Sequence, residues 1–167
     1  MILLLLFTLC IFQESPILAE VEAIFTPQES IKMYILGEVE SSTSTLDLAI
    51  HEITSSNMAQ ALSKAKQRGV KVRIVTDSKQ SKMKLSQVAY LIHQGIPVKV
   101  LGGKEKGVMN HRFVILDGKK VITGSFDWTE TSGKWNYEDI LILSEIETVS
   151  LYQKEFERLW REKRIIR

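Results

Sequence analysis

The feature that most constrains the fold of this chain is the stretch at residues 109–128, M-N-H-R-F-V-I-L-D-G-K-K-V-I-T-G-S-F-D-W. Its middle, residues 113–116, has the composition of a buried strand, and a second short run at 120–123 returns after the turn pair Asp117-Gly118. An Asp-Gly pair between two apolar runs predicts a β-hairpin. Because a hairpin brings its open ends together, the polar residues at those ends are predicted to share one pocket. They are Asn110, His111 and Arg112 at one end, and Gly124, Ser125 and Asp127 at the other.

The rest of the chain alternates between helix and strand signals. A capping box with proline at the first helical position, Thr26-Pro27-Gln28-Glu29, predicts that the first helix begins there. A second capping box at Ser144-x-x-Glu147 predicts the start of the last helix. Helices are predicted at 26–40, 57–68, 85–92 and from 144 onward, and strands at 46–50, 70–75, 98–100 and 139–143. Strands separated by helices and followed by a hairpin predict an α/β fold, a mixed β-sheet flanked by helices on both faces.

The N-terminal residues are strongly apolar. Residues 1–12 form a run that is short for a bilayer span and has the length of a signal-peptide core, with a loose cleavage site at Ile17-Leu18-Ala19. The usual positive charge before such a core is missing, so an uncleaved membrane anchor is the competing interpretation. We therefore predict a signal peptide or N-terminal anchor at 1–19 and one domain at 20–167. The expected location is the periplasm or the outside of the cell after cleavage, or the membrane if the segment is retained.

The cysteine count and the distribution of charged residues limit the functions that the chain can have. The single cysteine, Cys10, excludes an internal disulfide framework and a cysteine-rich zinc site. Residues 64–106 carry eleven Lys and Arg against two acids, a net +9 in a chain whose total is +2. Such a segment beside a phosphate pocket would attract a polyanion, either nucleic acid or a phospholipid surface. The alternative is a solvated helix face with lysines on exposed strand edges. Tyr90 is the only aromatic residue in this segment, which argues against sequence-specific reading of bases.

The hairpin residues carry a family resemblance. The stretch resembles the single-motif nuclease branch of the phospholipase D superfamily, whose signature is H-x-K-(x)4-D followed by G-S-x-N. Asp117 and the pair Gly124-Ser125 match that signature. Three positions differ, with Asn110 at the histidine position, Arg112 at the lysine position and Asp127 at the asparagine position.

The resemblance implies a phospholipase D/nuclease-like α-β-α sandwich and a hydrolysis that uses neither a metal nor another cofactor. In the family, the motif histidine attacks phosphorus and the histidine of a second motif copy acts as the acid. Single-motif members obtain that copy by forming a homodimer with the site at the two-fold interface. The lysine, serine and asparagine bind the phosphate, and a downstream glutamate orients the histidine. These roles fall on Asn110, Arg112, Ser125, Asp127 and Glu138, with Arg112, Ser125 and Asp127 as the phosphate-binding set.

The three substitutions have different chemical consequences. The amide nitrogen of Asn110 has a delocalised lone pair and cannot replace an imidazole as nucleophile or acid, and losing a nucleophile costs up to about a millionfold in rate. Arg112 keeps the positive charge and can bind phosphate bidentately. The carboxylate of Asp127 either repels a phosphate or pairs with Arg112. Because side chains alternate along a strand, His111 is predicted on the opposite face, and only a bulge or register slip near Met109 would bring it to the pocket.

Two classes of function follow from these residues. The first is a phospholipase D-like phosphodiesterase, a metal-independent endonuclease with little sequence preference, impaired by Asn110. The second is a catalytically degenerate homodimer that keeps the fold and binds phosphate or nucleic acid without cleaving it. A phospholipid phosphodiesterase is a third interpretation, because the motif recognises a phosphodiester and little else. Three departures in one site indicate divergence rather than a single engineered change.

Overall fold

The computed structural model describes residues 21–27 and 30–163, so the predicted signal peptide or anchor lies outside the described residues. Within that part of the chain, seven strands form one sheet in the order β1-β7-β6-β5-β2-β3-β4. The strands are β1 Val21–Phe25, β2 Thr45–Ile50, β3 Lys71–Asp77, β4 Val98–Leu101, β5 Arg112–Leu116, β6 Lys120–Gly124 and β7 Asp139–Leu143. The helices are α1 Ile31–Ser41, α2 Ser56–Gln67, α3 Val88–His93 and α4 Ile146–Arg161.

The sheet is mixed, as the sequence predicts. Strands β2, β3 and β4 run parallel and are joined by crossovers through α2 and α3, whereas β5, β6, β7 and β1 pair antiparallel with their neighbours. A parallel pair needs a crossover connection, and the hairpin adds antiparallel strands with only a short turn. The predicted strand at 139–143 coincides with β7, and the predicted hairpin is β5–β6.

Helices cover both faces of the sheet, which confirms the predicted fold class. On one face, α1, α2 and α3 bury side chains such as Ile35, Leu62 and Leu91 against alternate residues of the strands. On the other face, α4 buries Phe156 and Leu159 in a separate cluster. The alternation of strand side chains divides the core in this way. The α4-side cluster includes Ala49, Val75, Phe113, Ile115 and Val121 of the sheet.

The prediction for the start of the first helix was wrong. Helix α1 begins at Ile31, where the Ser30 hydroxyl accepts a hydrogen bond from the Met33 amide at 3.3 Å. Thr26 does not cap it, because its hydroxyl donates to the Asn136 carbonyl at 2.8 Å and accepts from the Glu138 amide at 2.8 Å. Residues 28 and 29 of the predicted capping box lie outside the described residues. Strand β1 was missed altogether, because only Ile24 of its five residues is buried and its pairing partner β7 lies far along the chain.

Two other helix boundaries also differ from the prediction. Helix α3 begins at Val88, and Leu85, which the prediction placed in the helix, lies exposed in the preceding loop. Helix α4 begins at Ile146 with Glu145 as its N-cap, one residue after the predicted Ser144. No helix in the described ranges is long and apolar enough to cross a membrane.

Candidate functional site

The closed end of the hairpin is anchored by one carboxylate. Asp117 and Gly118 turn the chain with φ angles of 53° and 64°, and positive φ is a conformation that Asp and Gly tolerate better than most residues. The Asp117 carboxylate accepts hydrogen bonds from the backbone amides of Thr43, Ser44 and Thr45 at 3.0, 2.7 and 2.9 Å. Burial opposes ionisation, but these amide bonds outweigh it and hold the pKa of Asp117 below its usual value. The loop before β2 is thereby tied to the hairpin turn.

The open end lies at one edge of the sheet, which we call the motif edge. It is formed by the C-terminal ends of β1, β2, β3, β4 and β6 and the N-terminal ends of β5 and β7, as the strand registers require. A Cβ on Gly124 would lie 2.2 Å from the Asp139 carbonyl oxygen. Only glycine therefore allows β6 and β7 to approach closely enough to bring Ser125 beside the start of β7.

Three of the predicted site residues meet at this edge. Arg112 Nε donates to Asp127 Oδ2 at 2.8 Å, and Arg112 Nη1 lies 3.1 Å from the side-chain oxygen of Asn110. Asp127 Oδ1 also accepts from the Glu52 amide at 3.3 Å, which orients the carboxylate toward the guanidinium. Both charged side chains of the ion pair are largely shielded from solvent. The pairing that the sequence left open for Asp127 is thus the one the structure has.

The other two predicted residues form a second group at the same edge. The Ser125 hydroxyl donates to Glu138, whose other carboxylate oxygen accepts from the Asn136 amide nitrogen at 3.0 Å. The Ser125 oxygen in turn accepts from the Asp139 backbone amide at 3.1 Å. Thr26 holds this loop through its bonds to residues 136 and 138. Sequence reasoning missed Thr26 and Asn136, because Thr26 lies 112 positions from Glu138 and no local pattern links them.

The His111 side chain points toward α4, as the alternation predicts, although His111 lines one cleft together with Asn110 and Arg112. Its Nε2 is 3.1 Å from Glu155 Oε1 of α4, and its ring packs edge-on against Phe113. Arg158 donates two hydrogen bonds of 2.7 Å to the same carboxylate. Bonding to Arg158, and more weakly to His111, lowers the pKa of Glu155. Strand β5 shows no register slip of the kind that would turn the His111 side chain into the predicted pocket, since Arg112 pairs with Ile50.

The backbone just before the motif is held by buried polar contacts. Asp77, which is almost fully buried, accepts from the Met109 amide at 3.0 Å and from the amides of Lys79 and Gln80 at 2.8 and 3.1 Å. His51 Nδ1 lies 3.0 Å from the Met109 carbonyl oxygen, so this nitrogen carries the proton. The contact of Asp77 with Met109 spans 32 positions of the chain, so no local sequence pattern indicates it.

Two clefts open beside these residues. One of about 600 Å³ lies next to Asp127 and Glu138 and is also lined by Glu52, Glu130 and Lys84. The other, of about 420 Å³, lies on the α4 side; its lining includes Asn110, His111, Arg112, Thr123, Tyr152 and Glu155. In the described ranges, no cluster of His, Cys, Asp and Glu side chains has the arrangement of a metal site. The open end thus presents one cationic side chain, Arg112, which is paired with Asp127. It also presents one hydroxyl, that of Ser125, which is hydrogen-bonded to Glu138.

Comparison with known proteins establishes the family. The family model described as "Cardiolipin synthase, PLD-like domain" matches residues 35–160. The chain belongs to the phospholipase D superfamily. The mitochondrial cardiolipin hydrolase of Mus musculus is 36% identical over 134 residues, which are 80% of this chain and 60% of that protein. The chain thus spans less than two thirds of this curated relative. The superfamily includes phosphodiester hydrolases, of which cardiolipin hydrolase is a named example.

Solved structures of the superfamily share the fold. Nuc from Salmonella typhimurium, a phospholipase D family member, superposes with a TM-score of 0.79 at 23% identity, covering 87% of this chain and 97% of Nuc. NucT from Helicobacter pylori superposes with a TM-score of 0.76 at 25% identity, covering 85% of this chain and 96% of NucT. These likenesses confirm the predicted phospholipase D-like sheet with flanking helices. The catalytic and phosphate-binding roles of Asn110, Arg112, Ser125, Asp127 and Glu138 stay predictions.

Proposed function

We propose that this chain is a phospholipase D-type protein that binds a phosphodiester at the open end of the hairpin and hydrolyses it far more slowly than a histidine-bearing member. One observation carries the proposal. The side chain at the predicted nucleophile position is the amide of Asn110, and its oxygen lies 3.1 Å from Arg112 Nη1. An amide engaged in this way supplies neither a nucleophilic lone pair nor an acidic proton for the leaving group.

No other imidazole of the chain supports a substitute role from its present position. The chain has three histidines. His111 pairs with Glu155 on the α4 face, His51 has its Nδ1 directed at the Met109 carbonyl oxygen, and His93 is the last residue of α3. A phosphohistidine mechanism needs an imidazole nitrogen in line with phosphorus, within about 3.5 Å at attack. We therefore expect little turnover by this route.

The remaining residues support phosphate binding. Arg112 is a planar, permanently charged donor that suits a phosphate oxygen pair, and the Ser125 hydroxyl lies at the same edge. Asp127 already occupies Arg112 Nε at 2.8 Å. A bound phosphodiester must share the guanidinium with that carboxylate or displace it. The expected consequence is a phosphate site weaker than one with a neutral residue at position 127.

A second copy of the chain is the partner that we propose for the site. Val21, Phe25 and Leu141 expose apolar side chains from β1 and β7 on the α4 side of the sheet, and Leu151 of α4 is exposed as well. Leu151 lines the same cleft as Arg112. An exposed apolar surface of this kind is typical of an association site. Light scattering of the parent and of a Phe25→Asp variant tests the dimer, which should dissociate in the variant.

Hydrolysis assays in EDTA test the proposed function. The substrates are bis(p-nitrophenyl) phosphate, plasmid DNA, single-stranded DNA and cardiolipin vesicles. We expect the parent to remain near the buffer rate on all of them. Asn110→His should raise the rate on at least one substrate by about two orders of magnitude, because an imidazole nucleophile contributes at least that much. Asn110→Ala is the matched control and should equal the parent.

One outcome would contradict the proposal. A parent rate equal to that of Asn110→His would show that position 110 does not supply the nucleophile. His111→Ala then identifies whether His111 acts instead, since the rate should fall to background if it does. The substrate that the Asn110→His variant prefers separates the nucleic-acid interpretation from the phospholipid one.

A further inference from the structure

The motif edge carries a group of lysines that the site does not use. The loop after β3 holds Lys79, Lys82 and Lys84, and the loop after β4 holds Lys104 and Lys106. All five side chains are exposed. Within the described ranges, none of them forms an ion pair, whereas Arg73 of the same basic segment is paired with Asp47 and Glu157. These five lysines therefore place unpaired positive charge on the side of the sheet where the hairpin opens, while Lys64 and Lys71 of the same segment are exposed at its opposite side.

Large apolar side chains are interleaved with these lysines. In the run Lys82-Met83-Lys84-Leu85, Met83 is 58% exposed and Leu85 is 70% exposed. Both lie in the loop rather than in α3, so no helix packing buries them. A loop that exposes alternating lysine and aliphatic side chains has a hydrophobic cost in water. That cost is removed when the aliphatic groups enter an apolar phase.

The loop between β6 and β7 adds aromatic side chains at the same edge. Trp135 is 77% exposed and Tyr137 is 88% exposed. This loop is adjacent to the lysine loop, because Lys84 and Leu85 line the 600 Å³ cleft together with Asn136 and Glu138. Trp and Tyr are enriched where a protein meets the headgroup region of a bilayer.

We propose that the motif edge docks on the surface of an anionic phospholipid bilayer, with the 79–85 loop as its main contact. The lysines would bind phosphate headgroups, while Met83 and Leu85 enter the acyl boundary below them. Exposed aliphatic groups favour this partner over nucleic acid, because a polynucleotide in solution is held by phosphate contacts and aromatic stacking. Docking in this orientation turns Arg112 and Ser125 toward the membrane. It goes beyond the proposed function, because it does not depend on whether the site hydrolyses anything.

Vesicle sedimentation with the full chain tests this surface. The probes are vesicles of phosphatidylcholine alone and of phosphatidylcholine with about one third phosphatidylglycerol, the lipid mixture being an assay choice that gives a strongly anionic surface. We expect the parent to bind the anionic vesicles more tightly. Lys82→Ser/Lys84→Ser should weaken that binding by roughly twenty-fivefold, at about fivefold per lysine near the surface. Met83→Ser/Leu85→Ser should weaken it by a similar factor, because two buried aliphatic side chains are lost.

Matched controls separate the effect of the loop on vesicle binding from the effect of net charge. Every variant retains the apolar N-terminal run, so any binding by that run is the same in all of them. Lys64→Ser/Lys71→Ser removes two exposed lysines at the opposite edge of the sheet, and Ile146→Ser removes a side chain that is 85% exposed there. Both controls should bind like the parent. Equal vesicle binding by loop variants and controls would overturn the proposal. The proposal would also be overturned if the parent did not bind anionic vesicles but bound single-stranded DNA through Lys82 and Lys84. That outcome would assign the motif edge to nucleic acid.

Discussion

The two ends of the β5–β6 hairpin differ in what they have retained from the superfamily pattern. At the closed end, Asp117 matches the pattern and binds three successive backbone amides of the loop before β2. At the open end, Asn110, Arg112 and Asp127 replace three pattern residues, yet they contact one another in an ordered cluster. The closed end ties the hairpin to the loop before β2, and the open end carries the residues to which catalysis and phosphate binding are predicted. Since they are about five residues apart along each strand, the open end can change without disturbing the closed one.

One residue of the open end does not follow this division. Gly124 belongs to the Gly-Ser pair of the pattern, and its role here is steric, because an added Cβ would meet the Asp139 carbonyl at 2.2 Å. The open end therefore contains a structural requirement beside its altered chemical groups. The difference between the ends concerns side-chain chemistry and not backbone geometry.

The largest expected effect on stability comes from adding a Cβ at position 124. Gly124→Ala should lower the free energy of unfolding by about 3 kcal/mol, because the clash is with backbone and the β6–β7 pairing must shift. Chemical denaturation followed by circular dichroism measures it. Gly37→Ala is the control, since nothing lies within 4 Å of its added Cβ. Equal stabilities for the two variants would mean that the strands separate without cost.

A change at the closed end should cost somewhat less. Asp117→Ala removes the acceptor of three amide bonds and places alanine at a φ of 53°, so we expect a loss of about 2 kcal/mol in unfolding free energy. Asp117→Asn keeps an acceptor oxygen and tolerates this φ, and should lose about half as much. Binding of bis(p-nitrophenyl) phosphate should be unchanged in both variants that remain folded. Altered binding would show that the two ends are coupled.

The same carboxylate predicts a pH dependence. The pKa of Asp117 is lower in the folded protein than in the unfolded chain, because the amide bonds outweigh the opposing effect of burial. Its contribution to stability is therefore complete above about pH 4, the usual carboxyl pKa, and is lost as the pH falls through the lower folded-state value. Asp117→Asn should show a shallower decline than the parent in denaturation series between neutral pH and acid. Parallel curves would contradict this assignment.

The smallest effect is expected at the ion pair of the open end. Asp127→Asn should change the unfolding free energy by less than about 1 kcal/mol, because the isosteric amide oxygen can still accept from Arg112 and from the Glu52 amide. It should strengthen binding of bis(p-nitrophenyl) phosphate several-fold, because Arg112 loses a competing carboxylate. Glu52→Gln removes another carboxylate from the same cleft and serves as the control in calorimetric titrations. Equal gains in both variants would indicate a general charge effect.

The sequence by itself determined the fold class, the hairpin and the face on which His111 lies. These depend on local rules, namely the Asp-Gly turn, the alternation of strand side chains and the spacing of apolar residues in helices. The predictions failed for short elements near the N-terminus of the described part of the chain. Strand β1 was missed and Thr26 was assigned to a helix cap, because each depends on a partner more than 110 positions away.

Only the tertiary structure decided which side chains of the open end contact one another. The sequence left Asp127 either facing a phosphate or pairing with Arg112, and the structure pairs them at 2.8 Å. It also showed that Asp77 holds the Met109 backbone and that five unpaired lysines share an edge with Met83 and Leu85. The physical reason is the same in each case. Which polar groups meet depends on strand order and loop approach, and residues distant in the chain carry no local signal of that meeting.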